Sequence, residues 1–204
     1  MTTTGVPRGT SARGQQRRQA LLEAAAELII EDGFSAVSHR GIAQRAELPL
    51  AATTYYFASL DDLLEQALRH LAASWLDQAR GSLAQLPAHL NGQRRLAEAV
   101  LLVAIATPDG DERDAGQDGL ALYERYLEAG RRPHLRTVVA AYNHEVDLIL
   151  REVLRRGGLP HDMRTARLLL AQVDGAMLRA LAEGVDPVPV ALAAVTDLVR
   201  LLSR

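Results

Sequence analysis

Four residues on one short predicted helix, Leu50, Ala51, Thr54 and Tyr55, present side chains that are small, hydroxyl-bearing or aromatic and carry no charge. That combination suits a helix lying deep in a DNA groove, where apolar groups meet thymine methyls and hydroxyls reach base edges or phosphates. Such a helix needs a second one to hold it, and residues 38–57 supply both. Ser38 is placed to cap the first; Ile42, Ala43 and Ala46 give it an apolar face; Pro49 suits the first turn of the next. The stretch predicts a helix-turn-helix. A helical hairpin in an ordinary all-α core would use the same pattern, so the flanking segments decide between them.

The other chemistry-bearing residues do not assemble into a reactive centre. Six histidines, His39, His70, His89, His134, His144 and His161, are scattered with no pair four residues apart, so no helical metal site is formed. A phosphate-binding glycine loop and a nucleophile elbow are both missing. With no cysteine, disulfides, zinc–thiolate clusters and thiol catalysis are excluded. The sequence predicts no catalytic residue, no metal site and no cofactor, and hence no enzyme.

The elements that would hold the reading helix are equally legible. Leu21, Leu22, Ala25, Leu28 and Ile29 recur at helical spacing and end at Asp32-Gly33, where Gly33 is a natural C-terminal cap and Phe34 folds back as a core plug. Downstream, Ser59 with Asp61 and Asp62 opens a long helix carrying Leu60, Leu64, Ala67, Leu68, Leu71 and Trp75. Three helices thus form a small head, and a fourth leads away from it.

This order, with Ala-Ala-Glu-Leu-Ile-Ile-Glu-Asp-Gly-Phe, then Ile42-Ala43, then Thr53-Thr54-Tyr55-Tyr56-Phe57 and Ser59 to Leu64, closely resembles the amino-terminal DNA-binding domain of the TetR family of transcriptional repressors. The match covers roughly residues 15–68. Residues 121–129 and 173–178 are similar, more weakly, to the ligand-binding and dimerising body of that family. The chain departs from the family pattern in three places. Glu47 stands where the turn usually has Gly, Pro49 replaces the usual Ser or Thr cap, and Leu60 replaces a basic residue that often touches phosphate.

The resemblance implies that Arg40 reads a base edge or a nearby phosphate and that Leu50, Ala51 and Thr54 face bases. His39, Ala52, Tyr55 and Tyr56 would lie near the DNA backbone. Tyr56 and Phe57 also read as core aromatics, Phe57 more so. The resemblance further implies a small-molecule cavity among the middle helices, with Trp75, Tyr123, Tyr126, Tyr142 and His144 as pocket candidates, although each also has a plausible core role. Repression released by a small-molecule effector follows, with the helix from Ser59 as the lever. An effector-independent DNA-binding dimer and an all-α enzyme remain the alternatives.

Beyond the head the pattern is helical throughout, with breaks at 81–91, 107–110, 130–133, 157–160 and 184–187. The predicted architecture is all-α, about nine helices in total: a disordered basic tail over 1–14, a helix-turn-helix domain over 15–58 and a ligand-binding and dimerisation domain over 59–204. The last two helices, Ala166 to Leu181 and Val188 to Leu202, are apolar almost all the way round. One stripe suffices for a helix on the outside of a monomer, so the surplus predicts a homodimer through Gln172, Gly175, Ala176, Arg179, Val195, Leu198 and Leu202. Two heads related by a twofold axis would meet an inverted-repeat operator in double-stranded DNA.

Composition fits this reading. A chain of 204 residues with 48% apolar content can bury a substantial core. The net charge of −2 conceals an asymmetry: Arg8, Arg13, Arg17 and Arg18 precede the first acidic residue, Glu23, and Arg40 and Arg45 lie on the first helix of the motif. A basic head is what phosphate binding requires. No apolar run reaches membrane-spanning length and no signal core is visible at the amino terminus, so a cytoplasmic location without membrane partners is expected.

Overall fold

The computed structural model describes residues 12–105 and 115–203, with backbone alone over 115–122. Every regular element among them is helical: α1 (Ala12–Asp32), α2 (His39–Arg45), α3 (Leu50–Tyr56), α4 (Leu60–Gln85), α5 (Gln93–Ala104), α6 (Ala115–Arg131), α7 (Arg136–Arg156), α8 (Met163–Glu183) and α9 (Pro187–Leu202), with a 3₁₀ turn at Pro133–Leu135. The all-α architecture and the helix count match the sequence reading.

The chain forms two compact units, Met1–His70 and Leu71–Arg204. The division falls inside α4, later than the predicted boundary after Ala58, because the first turns of α4 belong to the head's core. Leu63, Leu64, Ala67 and Leu68 are buried there along with Leu21, Ile29, Phe34, Ile42 and Phe57. Each fully buried leucine or isoleucine contributes about 1.5–3 kcal/mol.

Local chemistry fixes the start of α4. Ser59 Oγ accepts the Asp62 N–H at 3.1 Å, and Asp62 Oδ2 accepts the Ala58 N–H at 2.9 Å, a reciprocal cap of two otherwise unpaired donors. The helix then runs through Gly81 to Gln85, so the break expected from Gly81 begins only afterwards. One glycine costs a helix about 1 kcal/mol, too little to stop one that is packed on its neighbours. Arg156 closes the far end, its Nη1 donating to the carbonyls of Leu83 and Leu86, both at 2.9 Å.

Two further boundaries shift. Residues Ala12 to Gly14 are the first turn of α1 and not part of a tail; residues 1–11 of the predicted tail lie outside the described residues. The predicted break at 107–110 also lies outside them.

In the second unit α5 packs on α7 and α9, α7 on α8, and α8 on α9. The buried stripe of α5, including Leu96, Ala97, Val100 and Val103, forms the middle of this core. Helix α7 ends in a Schellman motif: Gly158, at φ 70°, lets the Leu159 N–H return to the Leu154 carbonyl at 3.1 Å. Helix α8 is capped by Asp162, whose carboxylate accepts the Thr165 N–H, and α9 by Asp186 just ahead of Pro187.

Candidate DNA interface and aromatic cage

The helix-turn-helix is built from cap chemistry. Ser38 Oγ accepts the Gly41 N–H at 3.2 Å and starts α2. Helix α2 ends in another Schellman motif, with the Glu47 N–H on the Gln44 carbonyl at 3.2 Å and the Leu48 N–H on the Ala43 carbonyl at 2.9 Å. Glu47 occupies the position that wants glycine and has φ 53°, the one described non-glycine residue with positive φ. The turn therefore keeps its left-handed geometry and tolerates a side chain.

Pro49 sits one residue earlier than the first-turn position assigned from sequence. It is the N-cap of α3, with φ −59° and ψ 142°, and its side chain makes no capping bond. Its carbonyl still accepts the Ala52 N–H at 2.8 Å.

Helix α3 turns one face outward. Leu50 is 51% exposed and Tyr55 79%, and Ala51 and Thr54 are exposed beside them. Thr53 is fully buried and donates its hydroxyl to the Leu50 carbonyl at 2.8 Å, so it anchors the helix from behind. Ala52 is half-buried at the edge of this face. Tyr56, also half-buried, packs edge-to-face on Tyr55 with ring centroids 4.8 Å apart. Phe57 is a core residue, 2% exposed, with the Arg18 guanidinium over its ring at 5.2 Å.

The basic residues of the head divide. Arg40 is exposed on α2. His39 is half-buried, and its Nδ1 is buried without a hydrogen-bond partner among the described residues. Arg45 is engaged elsewhere: it bonds Glu27 at 3.1 Å and Glu31 at 2.7 Å, tying α2 to α1. Those two carboxylates hold its pKa above the usual guanidinium value. Arg18 is likewise committed, to Gln66. The sequence count of basic charge at this end therefore overstates what is free to meet phosphate.

In the second unit, four of the five pocket candidates meet around a residue that sequence reasoning missed. Arg125 is 2% exposed, and its guanidinium lies 4.2 Å from the Tyr126 ring centroid, 4.7 Å from Tyr142 and 6.0 Å from Trp75. Trp75 and Tyr142 pack edge-to-face at 5.8 Å. Cation–π contacts of this kind contribute about 0.5–2 kcal/mol each. Arg125 Nε and Nη1 and the Tyr123 hydroxyl are buried without a hydrogen bond of normal geometry among the described residues.

Asp174 faces the same cluster from α8. The Tyr126 hydroxyl lies 3.1 Å from Asn143 Oδ1 and 3.3 Å from Asp174 Oδ2. Burial raises the Asp174 carboxyl pKa, against the opposing pull of Arg125 and of the hydrogen bond from Tyr126. Burial also pushes the Tyr126 hydroxyl up to about 12 and raises Tyr123 and Tyr142, so all three phenols stay neutral at physiological pH.

The fifth candidate, His144, lies apart from the cage. It lines a groove of about 390 Å³ between α7 and α8, together with Asn143, Asp147, Arg167 and Asp174. Asp147 is 3% exposed; its Oδ2 accepts from Arg167 Nε at 2.9 Å and its Oδ1 has no partner among the described residues. Asp174 thus touches both the aromatic cluster and the groove.

Helices α8 and α9 each bury one stripe and leave the other face open, so they are not fully internal. Gly175 and Arg179 are exposed, and Gln172, Ala176, Leu198 and Leu202 are half-buried. Val195 is a correction: it is 0% exposed, packed inside the chain with Ala191 and Val199, and has no surface to offer a partner. Leu168, Leu178 and Leu201, which the sequence reading did not select, are exposed on these helices.

Comparison with known proteins places this arrangement. Residues 21–67 match the family model described as bacterial regulatory proteins, tetR family, and residues 92–201 match the one described as tetracyclin repressor-like, C-terminal domain. The chain is 32% identical over 176 residues, 84% of its length and 87% of the other, to the HTH-type nicotine-responsive transcriptional repressor HdnoR of Paenarthrobacter nicotinovorans. It is similar to the crystal structure of the multidrug binding protein EbrR complexed with proflavin (31% identity, TM-score 0.65, 91% of this chain and 99% of that one). The ethidium complex of EbrR gives 30% identity and a TM-score of 0.66, covering 92% and 98%. The chain belongs to the TetR family of transcriptional regulators. It is a DNA-binding regulator and not an enzyme. No described helix is long and apolar enough to cross a membrane.

Proposed function

We propose that this regulator is a repressor that binds an inverted-repeat operator as a homodimer and is released by a flat aromatic cation. The observation that carries the DNA half is the outward face of α3, where Leu50, Ala51, Thr54 and Tyr55 are exposed, as Arg40 is on α2, while Thr53 anchors the helix from behind. Exposed Leu168, Leu178 and Leu201 on α8 and α9 support the dimer, because apolar surface of that kind is stabilised by covering it. Reading helices in successive major grooves would then sit about 34–36 Å apart.

Relatives and the aromatic cluster together support the effector class. HdnoR is named for its response to nicotine, and EbrR carries proflavin or ethidium, flat aromatics that are charged at neutral pH. In this chain the faces of Trp75, Tyr126 and Tyr142 with the Asp174 carboxylate offer ring stacking and a counter-charge. Repression is relieved by a population shift: for a hundredfold loss of operator occupancy the effector must favour the non-binding state by about 2.7 kcal/mol.

The test is binding of the purified protein to DNA from its own upstream region and to random sequence at two salt concentrations, with and without ethidium. Selective binding that ethidium weakens is the expected result. Equal, salt-sensitive binding to both DNAs would overturn the operator, and specific binding indifferent to ethidium would overturn the effector.

A further inference from the structure

We infer that Arg125 is a resident cation, a built-in occupant of the aromatic cage, and that an aromatic cation binds by expelling it. This rests on the effector class proposed above and says how that ligand gains entry. The guanidinium already occupies the place a cationic ligand would take, over the rings of Tyr126 and Tyr142 and beside Trp75. Two positive charges cannot share those ring faces, because each repels the other in a site of low polarity. One has to leave.

Arg125 is the one suited to leave. A guanidinium locked for structure is held by carboxylates or carbonyls in a planar fork, as Arg45 is by Glu27 and Glu31 and Arg156 is by Glu152 and the end of α4. Arg125 Nε and Nη1 instead have no acceptor among the described residues, although the residue is 2% exposed. Moving it out breaks ring contacts, which the incoming aromatic cation replaces, and returns unpaired N–H groups to water. Asp174 stays behind as the counter-ion, so exchanging one cation for another leaves the charge of the cage unchanged. Neutral aromatics of the same shape gain the stacking without that compensation, so the site selects for charge.

The experiment is a fluorescence titration of the full-length protein with ethidium, comparing wild type with Arg125→Met and Arg125→Ala, each checked for native helix content and cooperative melting. Displacement predicts that both variants bind ethidium at least tenfold more tightly, because no occupant competes. It also predicts that millimolar ethylguanidinium competes with ethidium in Arg125→Ala and much less in wild type, a readout that general loosening of the fold would not give. Wild-type binding with equal or weaker binding by folded variants overturns displacement alone, and a strong loss would mean that Arg125 itself grips the ligand through its free N–H groups. No ethidium binding by any of the three overturns the cation reading and displacement with it.

Discussion

Arg45 on α2 bonds Glu31 on α1 at 2.7 Å, and this pair commits the Arg45 charge to holding two helices of the head together. Arg45→Ala is therefore expected to lower the melting temperature of the protein slightly, by an amount that shrinks in high salt, as exposed ion pairs do. Thermal melts at low and high salt check this. A loss that does not depend on salt would mean that Arg45 acts through packing.

Arg40 should behave oppositely. Arg40→Ala is expected to weaken operator binding by about 1–3 kcal/mol if it meets a base edge, and to leave the melting temperature unchanged. Binding isotherms at matched salt decide the matter, and unchanged affinity would remove Arg40 from the interface.

Glu47 holds a left-handed turn with a side chain in place. Relief of that backbone cost, about 1–2 kcal/mol, outweighs most of the extra chain entropy of glycine, so Glu47→Gly should stabilise by up to about 1 kcal/mol. Glu47→Val, β-branched at the same φ, should destabilise. Urea titration of the two variants gives the sign directly.

Gly157 has no room for a methyl group. A Cβ there would come 2.6 Å from Leu96 Cδ1 and Cδ2, and Leu96 is itself 3% exposed. Gly157→Ala should cost about 1–2 kcal/mol after allowing for the stiffer unfolded chain. Gly130→Ala, with open space at its Cβ, should instead stabilise by about 0.4–1 kcal/mol. Denaturant midpoints of the pair provide an internal control.

Two carboxylates give stability a pH dependence of opposite sign. Arg155 and Arg156 hold the Glu152 carboxyl down at about 2, from 4.5, so its contribution is complete above about pH 4.5 and disappears as pH falls toward 2. Asp174, raised by burial, does the reverse: between its ordinary value of 3.8 and its raised one the folded state holds the extra proton, so stability drops as pH rises through that window and stays lower above it. Glu152→Gln should flatten the acid limb of a melting-temperature profile, and Asp174→Asn should remove the decline above the ordinary Asp value. A profile unchanged by both substitutions would contradict these assignments.

The head was legible because its chemistry is local. Ser38, Gly33, Phe34 and Ser59 signal caps and plugs within four residues of what they act on, so spacing alone locates them. Arg45 misled because its partners, Glu27 and Glu31, lie on another helix and their meeting depends on packing. The aromatic cluster shows the same limit more sharply. Trp75, Tyr126 and Tyr142 were individually visible as amphipathic aromatics, yet what they enclose is set by where α4, α6 and α7 cross, and a lone arginine between two tyrosines reads as a surface charge until the helices are in place. Val195 failed for a related reason, since the sequence shows how apolar α9 is without showing which stripe α5 and α8 cover.

The shortness of α3 limits how much of a chromosome one head can tell apart. Its seven residues extend about 10 Å, roughly the length of three base pairs, which allows about 64 distinguishable words. In the proposed dimer two such heads would reach about 4,000, still few beside the million or more competing positions of a genome. On that reading selectivity would draw on a second vocabulary, the stiffness and groove width of the bases between and beside the words, and promoters that share these six letters but bend differently should be ignored.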